Sequence, residues 1–551
     1  MKTAYKSLLA AALLAPVFSS CIEETFPTSG VVQGQLEASA TATAALVWNL
    51  PGNMLTINTV SDNQHYNFGF PAMMHAMDCM TGDMVVDYNG GYDWFSSWGS
   101  VRYSLGQDYM VCQFMWNYYY AQILACNNVV RAIDPETESA ELRASLAQGL
   151  TYRAMIYLTA AQGYEVLPTS VNDGLSTAGQ PLIGLTLPIV TEKTTEEEAR
   201  NNPRVSHEDM YEFIKGDLDQ AIELFNGAAG RSSKVLPNLA VAYGIYARLE
   251  MWNAGYEVEI NGAAPSVYSE AAKYARLAIN ASGATPLNES EWTSTTQGFN
   301  DDSMSSWMLA LEQVKENDCV QTGIVNWVSF CANEAIFGYT GAGTFVNIDA
   351  NLYNSINDRD FRKYSYVPGE GSNLASRIKY INTEWAEENL HEYSSVKIRP
   401  GEGNMDDNNI AAASDIPLMR VEEMYLIEAE ATAHSDAAAG KALLESFMKT
   451  YRYPTYTCKA TTSEGVVDEC FLQKRIELWG EGLIFFDYKR LNKSVTRWYN
   501  GSNWDPTLNA YNTDGRPSWM NFVITRQELD NNTALVNYQT PDPYQNYSLP
   551  K

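Results

Sequence analysis

Apolar residues recur at three- and four-residue steps in six separate stretches of this chain, and a chain so patterned builds its core from helices. In AELRASLAQGLTYRAMIYLTAAQGY the stripe is Leu142, Leu146, Leu150, Ala154, Tyr157 and Ala161. The pattern returns in SHEDMYEFIKGDLDQAIELF, where Ser206 stands as an N-cap with Asp209 three residues on. It returns again in NLAVAYGIYARLEMWNAG, YSEAAKYARLAINAS, IPLMRVEEMYLIEAEATAHS and DECFLQKRIELWGEGLIFFDYKRLN. Several of these are consecutive pairs with short connections. Helix pairs of about 34 residues with small residues at the packing points are the texture of a tetratricopeptide-type stack. The expected class is mostly α with minor β, its helical scaffold drawn from segments at about 112–164, 206–282 and 416–492.

The remaining stretches, 60–110, 165–205, 285–415 and 493–551, are rich in Gly, Asn, Asp, Ser, Pro and aromatics and hold no sustained period. Loops of that length are usually functional or disordered, and their Trp and Tyr content argues against disorder. The chain has 34 Tyr, 13 Trp and 18 Phe, more rings than a helical core asks for, so some are expected outside it. A loop-built face from 60–110, 285–415 and 493–551 is the natural place for them. Tyr118 to Tyr120 are an exception: consecutive rings on a helix point in different directions, so these are expected to be helix packing.

With 66 acidic and 37 basic residues the formal charge is −29, which opposes approach to nucleic acid or to anionic lipid headgroups. At the N-terminus, Lys2 and Lys6 precede an apolar run from Leu8 to Phe18, then Ser19, Ser20 and Cys21. The run is shorter than the roughly 20 apolar residues that span a bilayer, so residues 1–20 read as a cleavable signal. Small residues before a Cys resemble a bacterial lipobox, in which the thiol of Cys21 is acylated. Residues 21–551 then form one lipid-tethered domain. Of the other Cys, the pairs 112/126, 319/331 and 458/470 are open to disulfide formation, with buried free thiols as the equal alternative. No C-x-x-C or H-E-x-x-H occurs, so no metal catalysis and no cofactor is expected. The acidic runs at 300–302 and 405–409 read as solvated loops, with oxygen ligation of Ca²⁺ as the alternative.

The order of motifs resembles the SusD/RagB family of outer-membrane nutrient-binding lipoproteins of Bacteroidetes. The carriers are the lipobox followed by Glu23 and Glu24; TYRAMIYLTAAQGYEVLP; PRVSHEDMYEFIKGDLDQAIELF; YSEAAKYARLAINA; NLYNSINDRDFRK; SVKIRP; DIPLMRVEEMYLIEAEA; and KRIELWGEGLIFFDYKRLN. Two departures stand out: Leu483 where the family usually has Arg, and Gly163-Tyr164 in place of the usual Tyr-Gly. The resemblance implies four tetratricopeptide-like units and a SusC-like TonB-dependent transporter as partner. It also implies an outer-membrane location facing outward, with a captured oligosaccharide, or in the RagB branch a peptide, passed to the channel.

Sugar rings offer C–H faces to aromatic planes and hydroxyls to Asn, Asp, Gln or Arg. DMVVDYNGGYDWFSSWGS gathers Asn89, Tyr92, Asp93, Trp94 and Trp98 between glycines and is the first candidate loop. NWVSFCANEAIFGYTGAGTF, with Trp327, Phe330 and Tyr339, is the second, in a region similar in placement to one from which family members contribute a binding ring. Trp292, Trp385, Trp498 and Trp504 are alternative platforms in polar loops. A glycoside hydrolase would need two carboxylates about 5–10 Å apart. Nothing marks such a pair, and no G-x-S-x-G elbow occurs, so binding without turnover is the expectation.

Overall fold

The computed structural model describes residues 40–57, 65–88, 95 and 105–543; the signal segment 1–20 and Cys21 lie outside them. After α1 (Ala40–Asn53) and α2 (Phe70–Cys79), the scaffold is a series of four helix pairs. The first is α3 (Met110–Ala132) with α4 (Ala140–Tyr164), the second α5 (His207–Phe225) with α6 (Leu239–Glu259). The third joins α7 (Ser269–Ser282) to α8 (Val421–Ser435), across the whole stretch 283–420. The fourth is α9 (Ala437–Tyr451) with α10 (Ser463–Glu477), and α11 (Ile484–Arg490) follows. Among the described residues, helix takes 51% and strand 6%.

The helix starts are written in the sequence. Ser139, Ser206, Asn238, Asp436 and Thr462 each accept a backbone N–H of the first turn, satisfying a donor that has no partner within the helix. The stripe on α4 is only part of its buried surface. From Ala144 to Tyr164 nearly every residue is buried, because α3, α5, α6 and the C-terminal segment cover it on all sides. Gly163 shows why: Phe522 donates its N–H to Gly163 O, and a Cβ on Gly163 would stand 2.6 Å from the Phe522 ring. Tyr118 and Tyr119 are buried in the core, as helix packing requires.

Two small antiparallel sheets cross the long insertion. β1 (Met84–Val86) pairs with β3 (Val346–Ile348), Met84 opposite Ile348 and Val86 opposite Val346. β2 (Trp307–Leu311) pairs with β4 (Ile416–Arg420), which leads directly into α8. All four strands are buried on both faces, so no alternation marked them in the sequence. The stretch 285–415 thus holds packed strands and short helices, while Val314, Ile324 and Ile336 remain exposed on it. Cys79, Cys112, Cys126, Cys319, Cys331, Cys458 and Cys470 are all buried free thiols, which settles the open alternative against disulfides.

Charge sits inside the fold. Glu477 accepts from Arg362 Nη1 at 2.9 Å and from Arg452 Nη2 and Nε at 2.7 and 2.8 Å. It also accepts from Arg420 Nη1 at 3.2 Å. Asp360 takes Arg362, Glu422 takes Arg420, and Glu481 takes both Arg420 and Lys397, all with side chains almost fully buried. Four cations thus meet four carboxylates in the dry interior. The rings of Trp292 and Phe299 face these cations, Lys397 Nζ 4.6 Å from the Phe299 centroid and Arg452 5.5 Å from that of Trp292. Apart from Arg452, the charged residues of the cluster come from NDRDFRK, SVKIRP, LMRVEE and KRIELWGEG, so the most recognisable sequence motifs encode internal staples of the fold.

Candidate functional site

The first candidate loop springs from the end of β1. Asn89, Tyr92, Asp93, Trp94 and Trp98 lie outside the described residues, but the root that carries them is described in full. At its inner end, Asp83 accepts from Arg475 Nε at 2.9 Å and Nη2 at 2.5 Å and from the Tyr488 hydroxyl at 2.9 Å. Trp479 Nε1 donates to Asp83 O at 2.9 Å. At the outer end, Asp87 N donates to Phe345 O, Asn347 Nδ2 donates to Asp87 Oδ1 at 2.8 Å, and His391 Nε2 lies 2.8 Å from Asp87 Oδ2. That carboxylate raises the His391 pKa from its ordinary value. Tyr88 follows with 53% of its surface in water, and Phe95, the next described residue, is buried against Phe68, His75 and Phe330.

The second candidate loop is corrected by the structure. Trp327 and Tyr339 are each 1% exposed and present no ring to solvent. Trp327–Cys331 is a short helix capped by the Asn326 side chain, with Trp327, Phe330 and Cys331 at i, i+3 and i+4 and all five of its residues buried. Phe330 stacks on Tyr339 with centroids 4.2 Å apart and on Phe68 at 5.4 Å, while the Tyr339 hydroxyl lies 2.5 Å from His65 Nδ1. For Trp327 and Phe330 the helical spacing was the available signal that the rings fill space, whereas Tyr339 lies outside that helix.

Among the alternative platforms, Trp292 and Trp504 are buried and Trp385 is half-buried. Trp504 Nε1 donates to Asp349 Oδ2 at 3.0 Å, an internal bond. Trp498 is exposed.

The described residues contain one grouping with the spacing for a cation: Asp301, Asp302 and Asp415, whose carboxylate oxygens lie within 4.8 Å of one another. Asp415 accepts from the N–H of Asp302 at 2.9 Å and of Gln313 at 3.2 Å. Burial and the neighbouring Asp302 nevertheless push its carboxyl up to about 7. Asn300 Oδ1 and Gln313 Oε1, on residues adjoining these carboxylates, are buried without a protein donor. An all-oxygen set of this kind fits a hard cation. The other acidic run is occupied locally, Asp407 capping the turn at Asn408–Ala411. Among the described residues no helix is long and apolar enough to cross a membrane.

This arrangement of helix pairs and insertion is shared with known proteins. A sequence profile described as "Starch-binding associating with outer membrane" matches residues 53–251. No curated protein matches the chain. Among solved structures, a SusD-like carbohydrate binding protein from Bacteroides vulgatus ATCC 8482 superposes with a TM-score of 0.67 at 22% identity, covering 90% of this chain and 97% of its own. A SusD superfamily protein from Bacteroides thetaiotaomicron VPI-5482 gives 0.65 at 18%, covering 91% and 100%. Surface glycan-binding protein A from Bacteroides uniformis gives 0.62 at 16%, covering 92% and 100%. At such identities the superpositions speak for the fold alone. The profile described as "SusD family" matches residues 266–546, which spans the third and fourth helix pairs, both partners of the β2–β4 sheet and the buried ionic cluster, and this chain belongs to the SusD family.

Proposed function

We propose that this protein is a cell-surface lipoprotein, tethered through Cys21 in the outer membrane, that binds an extracellular oligosaccharide or polysaccharide. It passes that glycan, uncleaved, to a SusC-like TonB-dependent transporter. The observation that carries the reading is the loop root: β1 is pinned at both ends and delivers Tyr88 into solvent, directly before a segment holding Asn89, Tyr92, Asp93, Trp94 and Trp98. A pinned root limits the order that a binding loop must gain when ligand arrives. Indole and phenol faces suit pyranose C–H surfaces, and Asn89 and Asp93 suit their hydroxyls. Similarity to a SusD-like carbohydrate binding protein and to a surface glycan-binding protein supports the same ligand class.

Isothermal titration against a glycan panel tests it. Trp94→Ala and Trp98→Ala are each expected to weaken binding by about five- to tenfold, the scale of about 1 kcal/mol per stacked ring. A wild-type protein that binds no glycan while peptides copurify from the native surface would replace glycan by peptide. New reducing ends released by the pure protein would make it a hydrolase.

Calcium is a structural cation in this reading, held by Asp301, Asp302 and Asp415 with Asn300 and Gln313 as neutral oxygen donors. A proton on Asp415 competes with the ion, so millimolar Ca²⁺ should raise Tm more above pH 7 than below it. Asp415→Asn should abolish the difference. A Tm indifferent to Ca²⁺ at every pH would remove the ion from the account.

A further inference from the structure

Among the described residues, the fold buries most of its tryptophans, yet it holds Trp498 45% exposed on the turn between Thr496 and Asn512. That exposure is built. The Asn512 side chain clasps both peptide groups of Trp498: Trp498 N donates to Asn512 Oδ1 at 2.8 Å, and Asn512 Nδ2 donates to Trp498 O at 2.9 Å. Both flanking residues are tied to the interior. Arg497 is fully buried, donates to Thr81 O and Cys79 O at 2.6 and 2.9 Å, and lies 4.4 Å from the Trp504 ring centroid. The Tyr499 hydroxyl donates to Asp349 Oδ2 at 2.6 Å. The backbone beneath the indole therefore has little freedom left to lose, while its ring stays in water.

The surroundings narrow what such a ring can meet. On a chain of net charge −29, the stretch 494–513 contains only two charged residues, buried Arg497 and Asp505. Asp505 Oδ1 is taken by the N–H and hydroxyl of Thr507, both at 2.7 Å. Around Trp498, Thr496, Asn500 and Asn512 are exposed and uncharged. A flat aromatic plane ringed by hydroxyl and amide groups, with local charge close to zero, matches an uncharged sugar better than a cationic or anionic partner.

We infer that Trp498 is a preformed stacking platform for a neutral pyranose, forming a second glycan contact apart from the loop that follows β1. Asn503 Nδ2 donates to Ile348 O, so this turn is anchored at the Ile348 end of β3, whereas Tyr88 leaves β1 beside Phe345 at the other end. A second contact engages a different residue of an extended glycan, and two contacts together raise avidity for long chains over short ones. The inference rests on glycan binding as proposed above.

Native affinity gels containing an α-glucan, a β-glucan, a β-mannan or a xylan separate the two claims. For whichever polymer retards the wild type, Trp498→Ala is expected to lose about five- to tenfold in affinity with an unchanged Tm. Trp498→Phe should retain most of the binding, and the loss should shrink on short oligosaccharides of the same linkage. If Trp498→Ala is retarded like the wild type while Trp94→Ala and Trp98→Ala are not, the Trp498 platform is overturned and glycan binding stands. If no neutral polymer retards the wild type, the proposed function falls and this inference with it.

Discussion

Glu477→Ala is expected to destabilise the protein by at least about 3–5 kcal/mol, the cost of removing one partner from a buried ion pair. Here one carboxylate serves Arg362, Arg420 and Arg452, so its loss leaves positive charge uncompensated where no water can solvate it. The three guanidiniums hold Glu477 far below the usual carboxylate range despite its burial. A carboxyl depressed in the folded state contributes stability that is fully present above its unfolded pKa, near 4.5, and is lost as pH falls below that value. Glu481, held down by Arg420 and Lys397, acts in the same direction. Denaturant unfolding near neutrality measures the mutational cost, and an acid series measures the linkage. Glu196→Ala is the control: its partner Arg200 is on the surface, and no change is expected. A Glu477→Ala protein within about 1 kcal/mol of wild type would contradict this account of the core.

Asp83→Ala is expected to be the second most damaging change, costing about 3 kcal/mol, because it strips Arg475 of its bidentate partner and the Tyr488 hydroxyl of its acceptor. The effect reaches function as well as stability. Asp83 anchors the inner end of β1, and β1 carries the candidate loop. At a temperature where the variant is still folded, glycan affinity should fall although Asp83 is itself buried. Asp83→Asn should recover part of both losses, since an amide oxygen still accepts from Tyr488. Full affinity in a folded Asp83→Ala would mean that the loop does not depend on its root.

The helices were legible because two independent signals agreed, apolar spacing and caps. Ser206 is the clear instance, its side chain accepting the N–H of Asp209. The sheets were not legible, since strands of three to five residues buried on both faces leave no period to read. The ionic cluster was visible only as motifs. Nothing in a single sequence says that Arg362, Lys397 and Glu477 meet. Trp327 failed as a surface ring because loop composition was weighed above the i, i+3, i+4 spacing of Trp327, Phe330 and Cys331, while Tyr339, outside that helix, carried no such signal. Trp498 had a usable signal in the near absence of charge around it. That signal distinguishes neutral surface from core only once Arg497 is known to point inward.

The third helix pair is split, α7 before residue 283 and α8 after residue 420, with the two helices packed directly together. The intervening chain thus enters and leaves the scaffold at neighbouring points. Closing such an excursion costs only about 0.6 kcal/mol more for each doubling of its length. Length can therefore be added within that excursion at little entropic cost wherever Asp360, Arg362 and Lys397, which it contributes to the cluster around Glu477 and Glu481, keep their places.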